Sequence, residues 1–272
     1  DRRVFSASAA ASVLFVSNML FARTQAYFTD VPHYNPLLHT WSLSVEEQFY
    51  LVFPIVLILC AKFTRSRLRL VVALLALASF ALGVWATAAL PKIAFYVAPT
   101  RAWELLLGSL IALGAFPPLR REAWRELSCL LGLALVAGSI LLLSSGADFP
   151  GVNALFPAVG AALIIHGGAG GRSLVGRVLS LRWLVLIGLV SYSLYLWHWP
   201  LFVLADYVVI RPLTGIETAG VIAASFLAAF ASWRLVEQPF RRPQPGLRRI
   251  GPFAAAGGVA AAFLVVSLAQ SL

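Results

Sequence analysis

The chain has 272 residues, of which 60% are hydrophobic and only 12% charged, against a usual 45–50% and about 25% in soluble domains. With a mean hydropathy of +0.86, it has too little polar surface to cover a water-soluble globule, which excludes a cytosolic enzyme, a disordered tail and a disulfide scaffold. The net charge of +10 is then a question of placement.

A hydrocarbon core takes about 20 apolar residues per helix. In chain order, the first apolar stretch, 4–21, is rich in Ala and Ser and reads either as a full span or as a re-entrant or interfacial helix. Eight stronger candidates follow at 43–61, 70–90, 102–117, 127–145, 152–167, 183–204, 217–236 and 252–270. The expected fold is therefore all-α: a polytopic transmembrane helix bundle of eight spans plus one possible re-entrant or ninth helix. Residues 1–242 form the main membrane domain, 243–251 a linker marked by Pro243, Pro245 and Gly246, and 252–272 a final helix that reads as a tether. The chain opens Asp1-Arg2-Arg3 and has only one methionine, Met19, which suggests an internal boundary.

The basic residues are sharply partitioned. Lys62, Arg65, Arg67 and Arg69 follow the first strong span, Arg120, Arg121 and Arg125 the third, Arg172, Arg177 and Arg182 the fifth, and Arg241, Arg242, Arg248 and Arg249 the seventh. These loops lie on one side if the spans alternate, and Lys and Arg accumulate on the cytoplasmic side. The C-terminus is then extracytoplasmic. The positive charge is thus topogenic, and no nucleic-acid partner is expected. Cys60 and Cys129 have neither metal-ligand spacing nor the pattern of a disulfide framework, so free thiols and no metal are expected.

Polar residues at membrane depth are costly and are functional candidates by default. The densest run is His39-Thr40-Trp41-Ser42-Leu43-Ser44-Val45-Glu46-Glu47-Gln48-Phe49-Tyr50. Ser44 and Glu47 fit a capping box before an apolar run, which makes Glu47 structural. Glu46 falls in the expected first turn, where the helix dipole favours a carboxylate, and is open to a functional role. His39 is either an interfacial histidine or an acid–base group. In the second cluster, Arg101 and Glu104 are i,i+3 neighbours that can pair on one helix face. Arg101 either forms an interfacial ion pair or holds an anion or a developing oxyanion. In the third, Ser191, Tyr195 and His198 fall at i, i+4 and i+7 on one face, lining a cavity or bonding between helices. His166 reads as interfacial. Glu237 reads as an end cap or an ion pair with Arg241 or Arg234.

These segments resemble the acyltransferase-3 family of membrane O-acyltransferases, which modify O-antigens, exopolysaccharides and similar glycans. The resemblance is carried by Pro36-Leu37-Leu38-His39-Thr40-Trp41-Ser42-Leu43-Ser44-Val45-Glu46-Glu47-Gln48-Phe49-Tyr50, by Arg101-Ala102-Trp103-Glu104-Leu105-Leu106-Leu107-Gly108, by Ser191-Tyr192-Ser193-Leu194-Tyr195-Leu196-Trp197-His198-Trp199-Pro200 and by Glu237-Gln238-Pro239-Phe240-Arg241. It implies transfer of an acetyl or related acyl group from cytoplasmic acetyl-CoA (or another acyl-CoA) to a hydroxyl of a cell-envelope glycan or glycolipid, in a bacterial-type inner membrane. It further implies catalytic roles for Glu46, His39, Arg101 and Glu104, and an acceptor cavity lined by Tyr192, Tyr195, His198 and Trp41. The family's N-terminal Arg and His, about ten residues apart, have no counterpart here, so the resemblance implies that the first spans are absent; an SGNH-type domain follows the membrane part in some relatives. The competing classes are a transporter or flippase for a glycan or lipid-linked substrate, whose expected internal repeat is not apparent, and a structural subunit.

Overall fold

The structure, a computed structural model, describes residues 2–24, 35–64, 67–143, 149–171 and 173–241. The expected linker at 243–251 and final helix at 252–270 lie outside the described residues. Those described are helical throughout, with turns between: α1 (Arg2–Val13), α2 (Ser17–Thr24), α3 (Thr40–Thr64), α4 (Leu68–Ala89), α5 (Pro91–Tyr96), α6 (Ala98–Ala112), α7 (Glu122–Leu142), α8 (Leu155–Gly168), α9 (Leu174–Leu179), α10 (Arg182–Val209), α11 (Gly215–Ser232) and α12 (Gln238–Arg241), the last two joined by a π-helical turn at Trp233–Glu237.

Five of these segments are long and apolar enough to cross a membrane: Thr40–Lys62, Leu68–Ala89, Glu122–Leu142, Arg182–Val209 and Gly215–Glu237. The expected spans at 102–117 and 152–167 are shorter, at 15 and 14 residues. The first starts earlier than expected, with Pro99 in the opening turn that proline suits, and is cut short at Ala112, just ahead of Gly114 at φ +65°. The stretch 4–21 is not one span. Phe15 adopts φ +54°, a left-handed conformation that stops α1 before α2 begins.

The chain divides into two compact units. The first comprises residues 2–21, 35–44 and 183–241; the second comprises 22–24 and 45–182.

In the second unit, α4 packs on α6 and α7 on α8. Val72, Leu106 and Leu110 are buried at the α4–α6 contact, with Phe49, Phe53 and Leu57 of α3 against them. Ser79 locks the entry of α6: its hydroxyl donates to the Pro99 carbonyl (2.6 Å) and accepts from the Trp103 amide (3.0 Å). One turn along α4, a methyl group at Gly83 would lie 2.6 Å from the Thr100 carbonyl oxygen, so only glycine permits this approach. The α7–α8 seam works the same way. A Cβ at Gly132 would lie 2.5 Å from the Gly160 oxygen, and one at Gly160 2.8 Å from the Gly132 oxygen; Ser128 adds a bond from its hydroxyl to the Leu163 carbonyl (2.9 Å). Between apolar helices in lipid, such close backbone packing replaces the hydrophobic effect as the force for association.

The first unit is tied by hydroxyls. Ser12 and Thr40 hydroxyls are 2.8 Å apart, Thr40 donates to Ser17 (3.1 Å), and Ser17 pairs with Ser44 (2.8 Å). This ladder joins α1, α2 and the start of α3, and it corrects the expected capping box. Helix α3 begins at Thr40, so Ser44 lies inside it, where its hydroxyl reaches the Thr40 carbonyl (3.3 Å). Ser44 cannot also take the non-helical backbone that an N-cap requires. Glu46 is accordingly in the second turn, beyond the part of the helix where the dipole acts most strongly. A complete capping box forms instead at α11, between Thr214 and Glu217, where Arg211 also pairs with the Glu217 carboxylate (2.8 Å).

Replacing Gly132 or Gly160 with leucine is expected to destabilise the protein by about 1–3 kcal/mol through overpacking. Leucine at Gly138, whose Cβ would meet nothing within 4 Å, is expected to leave stability unchanged. Thermal unfolding in detergent checks the contrast.

Candidate active site

The first unit builds a cluster around His39. The chain enters it at Asn35, whose side-chain carbonyl accepts from the Leu37 amide (3.0 Å) in an Asx turn. Asn35 is held from two sides, donating to the Ser8 hydroxyl (2.9 Å) and accepting at its backbone carbonyl from the Trp199 indole (2.9 Å). Three residues after Leu37 the helix starts, and His39 is left just before it, only 4% exposed.

From α10, Tyr195 donates its hydroxyl to the His39 backbone carbonyl. Ser42 lies 2.6 Å from the same hydroxyl and is therefore its donor. The His39 ring packs 5.1 Å from the Tyr195 ring and 5.7 Å from the His198 ring, centroid to centroid, and Tyr195 and His198 are themselves 5.5 Å apart. His198 Nδ1 is 3.2 Å from the Leu194 carbonyl, a contact in which Nδ1–H is the donor. Neither ring nitrogen of His39 makes a hydrogen bond. Burial and, next, the neighbouring His198 hold its pKa down at about 4, while the Pro36 carbonyl favours the protonated ring slightly without hydrogen-bond geometry. At neutral pH His39 is thus an uncharged imidazole. Trp41, also expected at the site, is buried beside this entry.

The face expected from Ser191, Tyr195 and His198 holds for the latter two. Ser191 is exposed and bonds back to the Gly188 carbonyl (2.8 Å), and Tyr192 is 46% exposed. The buried serine of this motif is Ser193, which donates to Glu237 Oε2 (2.9 Å). Glu237 in turn pairs with Arg241 (2.9 Å), the choice between Arg241 and Arg234 that spacing left open. Its placement follows from the π-helical turn, whose extra residue rotates the end of α11.

The second unit carries the other cluster. The pair predicted from i,i+3 spacing forms as a two-pronged contact, Arg101 Nε to Glu104 Oε1 (3.0 Å) and a terminal nitrogen to Oε2 (3.1 Å). The guanidinium lies 5.7 Å from the ring centroids of both Phe95 and Phe149, in range for cation–π attraction. Glu46 belongs to this unit and is exposed on α3. His166 ends α8 within 3.1 Å of the Pro117 carbonyl, as an interfacial residue would. Among the described residues, no group of three His, Cys, Asp or Glu side chains is arranged to hold a metal ion.

The lowered pKa of His39 makes a signed prediction. Between pH 6.5 and 4 the unfolded chain binds a proton at this position that the folded protein does not, so acidification through that window removes stability, by up to about 3 kcal/mol. Below about pH 4 the dependence flattens. A His39→Gln variant is expected to lose this part of the slope in melting temperatures measured from pH 4 to 7.

Comparisons with known proteins accord with these clusters. An acyltransferase domain model matches residues 4–234. BcsY of Komagataeibacter xylinus, assigned as a membrane-bound transacylase, is 30% identical over 242 residues, covering 88% of this chain and 60% of its own. YrhL of Bacillus subtilis, assigned as a peptidoglycan O-acetyltransferase, is 32% identical over 251 residues, covering 86% and 39%. The peptidoglycan O-acetyltransferase OatA of Listeria monocytogenes is 30% identical over 252 residues, covering 86% and 40%. The chain therefore spans between two-fifths and three-fifths of the length of these relatives. No solved structure matches it. The domain match takes in His39, Arg101, Tyr195 and His198 alike, and the chain belongs to the acyltransferase-3 family.

Proposed function

We propose that this multi-pass membrane protein transfers an acyl group, most simply acetyl, from an acyl-CoA to a hydroxyl of a cell-envelope glycan or glycolipid. The observation that carries the proposal is His39: a buried imidazole, uncharged at neutral pH, with neither ring nitrogen hydrogen-bonded. Family membership and the peptidoglycan acetyltransferases among the relatives supply the reaction class.

A thioester is already activated, so a sugar hydroxyl needs mainly alignment, a base and a stabilised oxyanion. His39 takes the hydroxyl proton as the oxygen attacks the thioester carbonyl. The tetrahedral intermediate collapses, the C–S bond breaks, and the departing thiolate takes the proton back from the imidazolium. A base whose conjugate acid sits near pKa 4 is weak at rest. The negative charge developing in the transition state stabilises the imidazolium beside it and raises that value during the reaction. Tyr195 fixes the backbone that carries His39, and His198 lines the same surface. Arg101, oriented by Glu104, holds an anionic group of a substrate. The basic loops are cytoplasmic and the C-terminus extracytoplasmic, by the distribution of Lys and Arg.

The test is transfer of label from acetyl-CoA to isolated envelope glycan by membranes containing the full-length protein. The proposal predicts labelled glycan and a fall of about 10²–10⁴-fold for His39→Gln as expected for loss of a general base. Full activity of His39→Gln contradicts the assignment of the base. Unmodified glycan crossing the membrane with no acyl transfer contradicts the reaction itself.

A further inference from the structure

The ion pair in the second unit heads a groove. Its volume is about 240 Å³, and α6 and α8 form its walls. On α6, Arg101 and Glu104 lie at the helix start and Leu107 and Gly108 one turn on; on α8 the lining runs from Ala154 to Ile165, about 16 Å at 1.5 Å per residue. Among the described residues, the ionisable groups on the wall are Arg101 and Glu104, and the α8 side is largely alanine. Gly108 leaves the groove open, since a Cβ there would meet nothing within 4 Å.

We propose that this groove binds a single-chain lipid phosphate, an isoprenoid or alkyl chain ending in a phosphate group, with the chain between α6 and α8 and the phosphate on Arg101. The proposal deepens the acyl-transfer reading and rests on it in one respect: a glycan acceptor borne on such a lipid is held in the membrane here. An apolar wall about 16 Å long favours hydrocarbon and gives a sugar polymer no partners. The volume is below the roughly 300–1,000 Å³ of pockets for drug-sized ligands, which suits one chain and not the two of a diacyl lipid. At the head, a planar guanidinium matches phosphate geometry with two parallel bonds, and Phe95 and Phe149 hold its plane. Glu104 neutralises Arg101, as a largely buried charge requires. At 27% side-chain exposure, Glu104 can turn towards water when phosphate takes its place.

Binding of labelled farnesyl phosphate to the full-length protein, in nanodiscs of phosphatidylcholine and without acyl donor, tests the proposal. Unlabelled farnesyl phosphate is expected to compete at least about tenfold better than farnesol or inorganic phosphate. Arg101→Gln and Gly108→Leu are each expected to weaken binding by at least about tenfold, and Glu104→Gln, which removes the competing carboxylate, to retain or tighten it. Leucine at Gly108 projects into open space, and an unchanged melting temperature verifies its fold; Ala158→Leu provides a second block. Binding that is equal in wild type and in both blocked variants overturns the proposal, as does farnesol competing as well as its phosphate. A protein that transfers acyl groups but fails this test loses the groove alone, and one that binds without transferring loses the acyl-transfer reading alone.

Discussion

Tyr195 makes the bond on which the first unit's chemistry depends. Its hydroxyl donates to the carbonyl of His39 and accepts from Ser42, so one phenol pins α10 to the last residue before α3 and to the first turn within it. Without that bond the His39 carbonyl would keep only the long contact from the Ser42 amide (3.4 Å), a loss of about 0.5–1.5 kcal/mol. The imidazole would also lose the anchor that sets it against His198. The hydroxyl ladder through Ser12, Thr40, Ser17 and Ser44 fixes the same helix start from the other side. The ring itself makes no hydrogen bond. That leaves its lone pair available for chemistry.

The second unit solves a different problem by different means. Its helices approach through small residues, with Gly83 under the Thr100 carbonyl and Gly132 against Gly160, and Ser79 inserts its hydroxyl into the first turn of α6. Tight backbone contact here makes the start of α6 rigid, and a rigid start is what aims Arg101 and Glu104. Packing by glycine and serine thus determines where the charged pair is presented, on the helix that carries Leu106 and Leu110 of the apolar core.

What could be read from the sequence follows from the range of the interactions. The Arg101–Glu104 pair is one helical turn apart, and spacing alone identifies it; for Glu237 spacing offers Arg241 and Arg234 alike, and the structure pairs it with Arg241. The length and apolarity of α3, α4, α7, α10 and α11 are likewise local properties. The capping box at Ser44 and Glu47 was a sound local pattern that lost to distant bonds: Ser17 and Thr40 draw Ser44 into the helix, and the true start moves to Thr40. Thr214-Gly215-Ile216-Glu217 carries the same local pattern before an apolar run, and there the box forms. Ser191 does not face inward with Tyr195 and His198: the buried serine is Ser193, bonded to Glu237, a residue 44 positions on that closes a π-helical turn. Neither that turn nor the bond from Trp199 to Asn35 has a local signature.

The central claim is that a buried, uncharged His39 held in place by Tyr195 performs the acyl transfer. Steady-state kinetics of Tyr195→Phe test it most directly, because phenylalanine keeps the ring that packs on His39 and His198 and removes only the hydroxyl. The account predicts that kcat for acyl transfer falls by at least about tenfold while KM for the acyl donor is unchanged, the signature of an interaction that matters only in the transition state. An unchanged kcat in a folded Tyr195→Phe protein would contradict it.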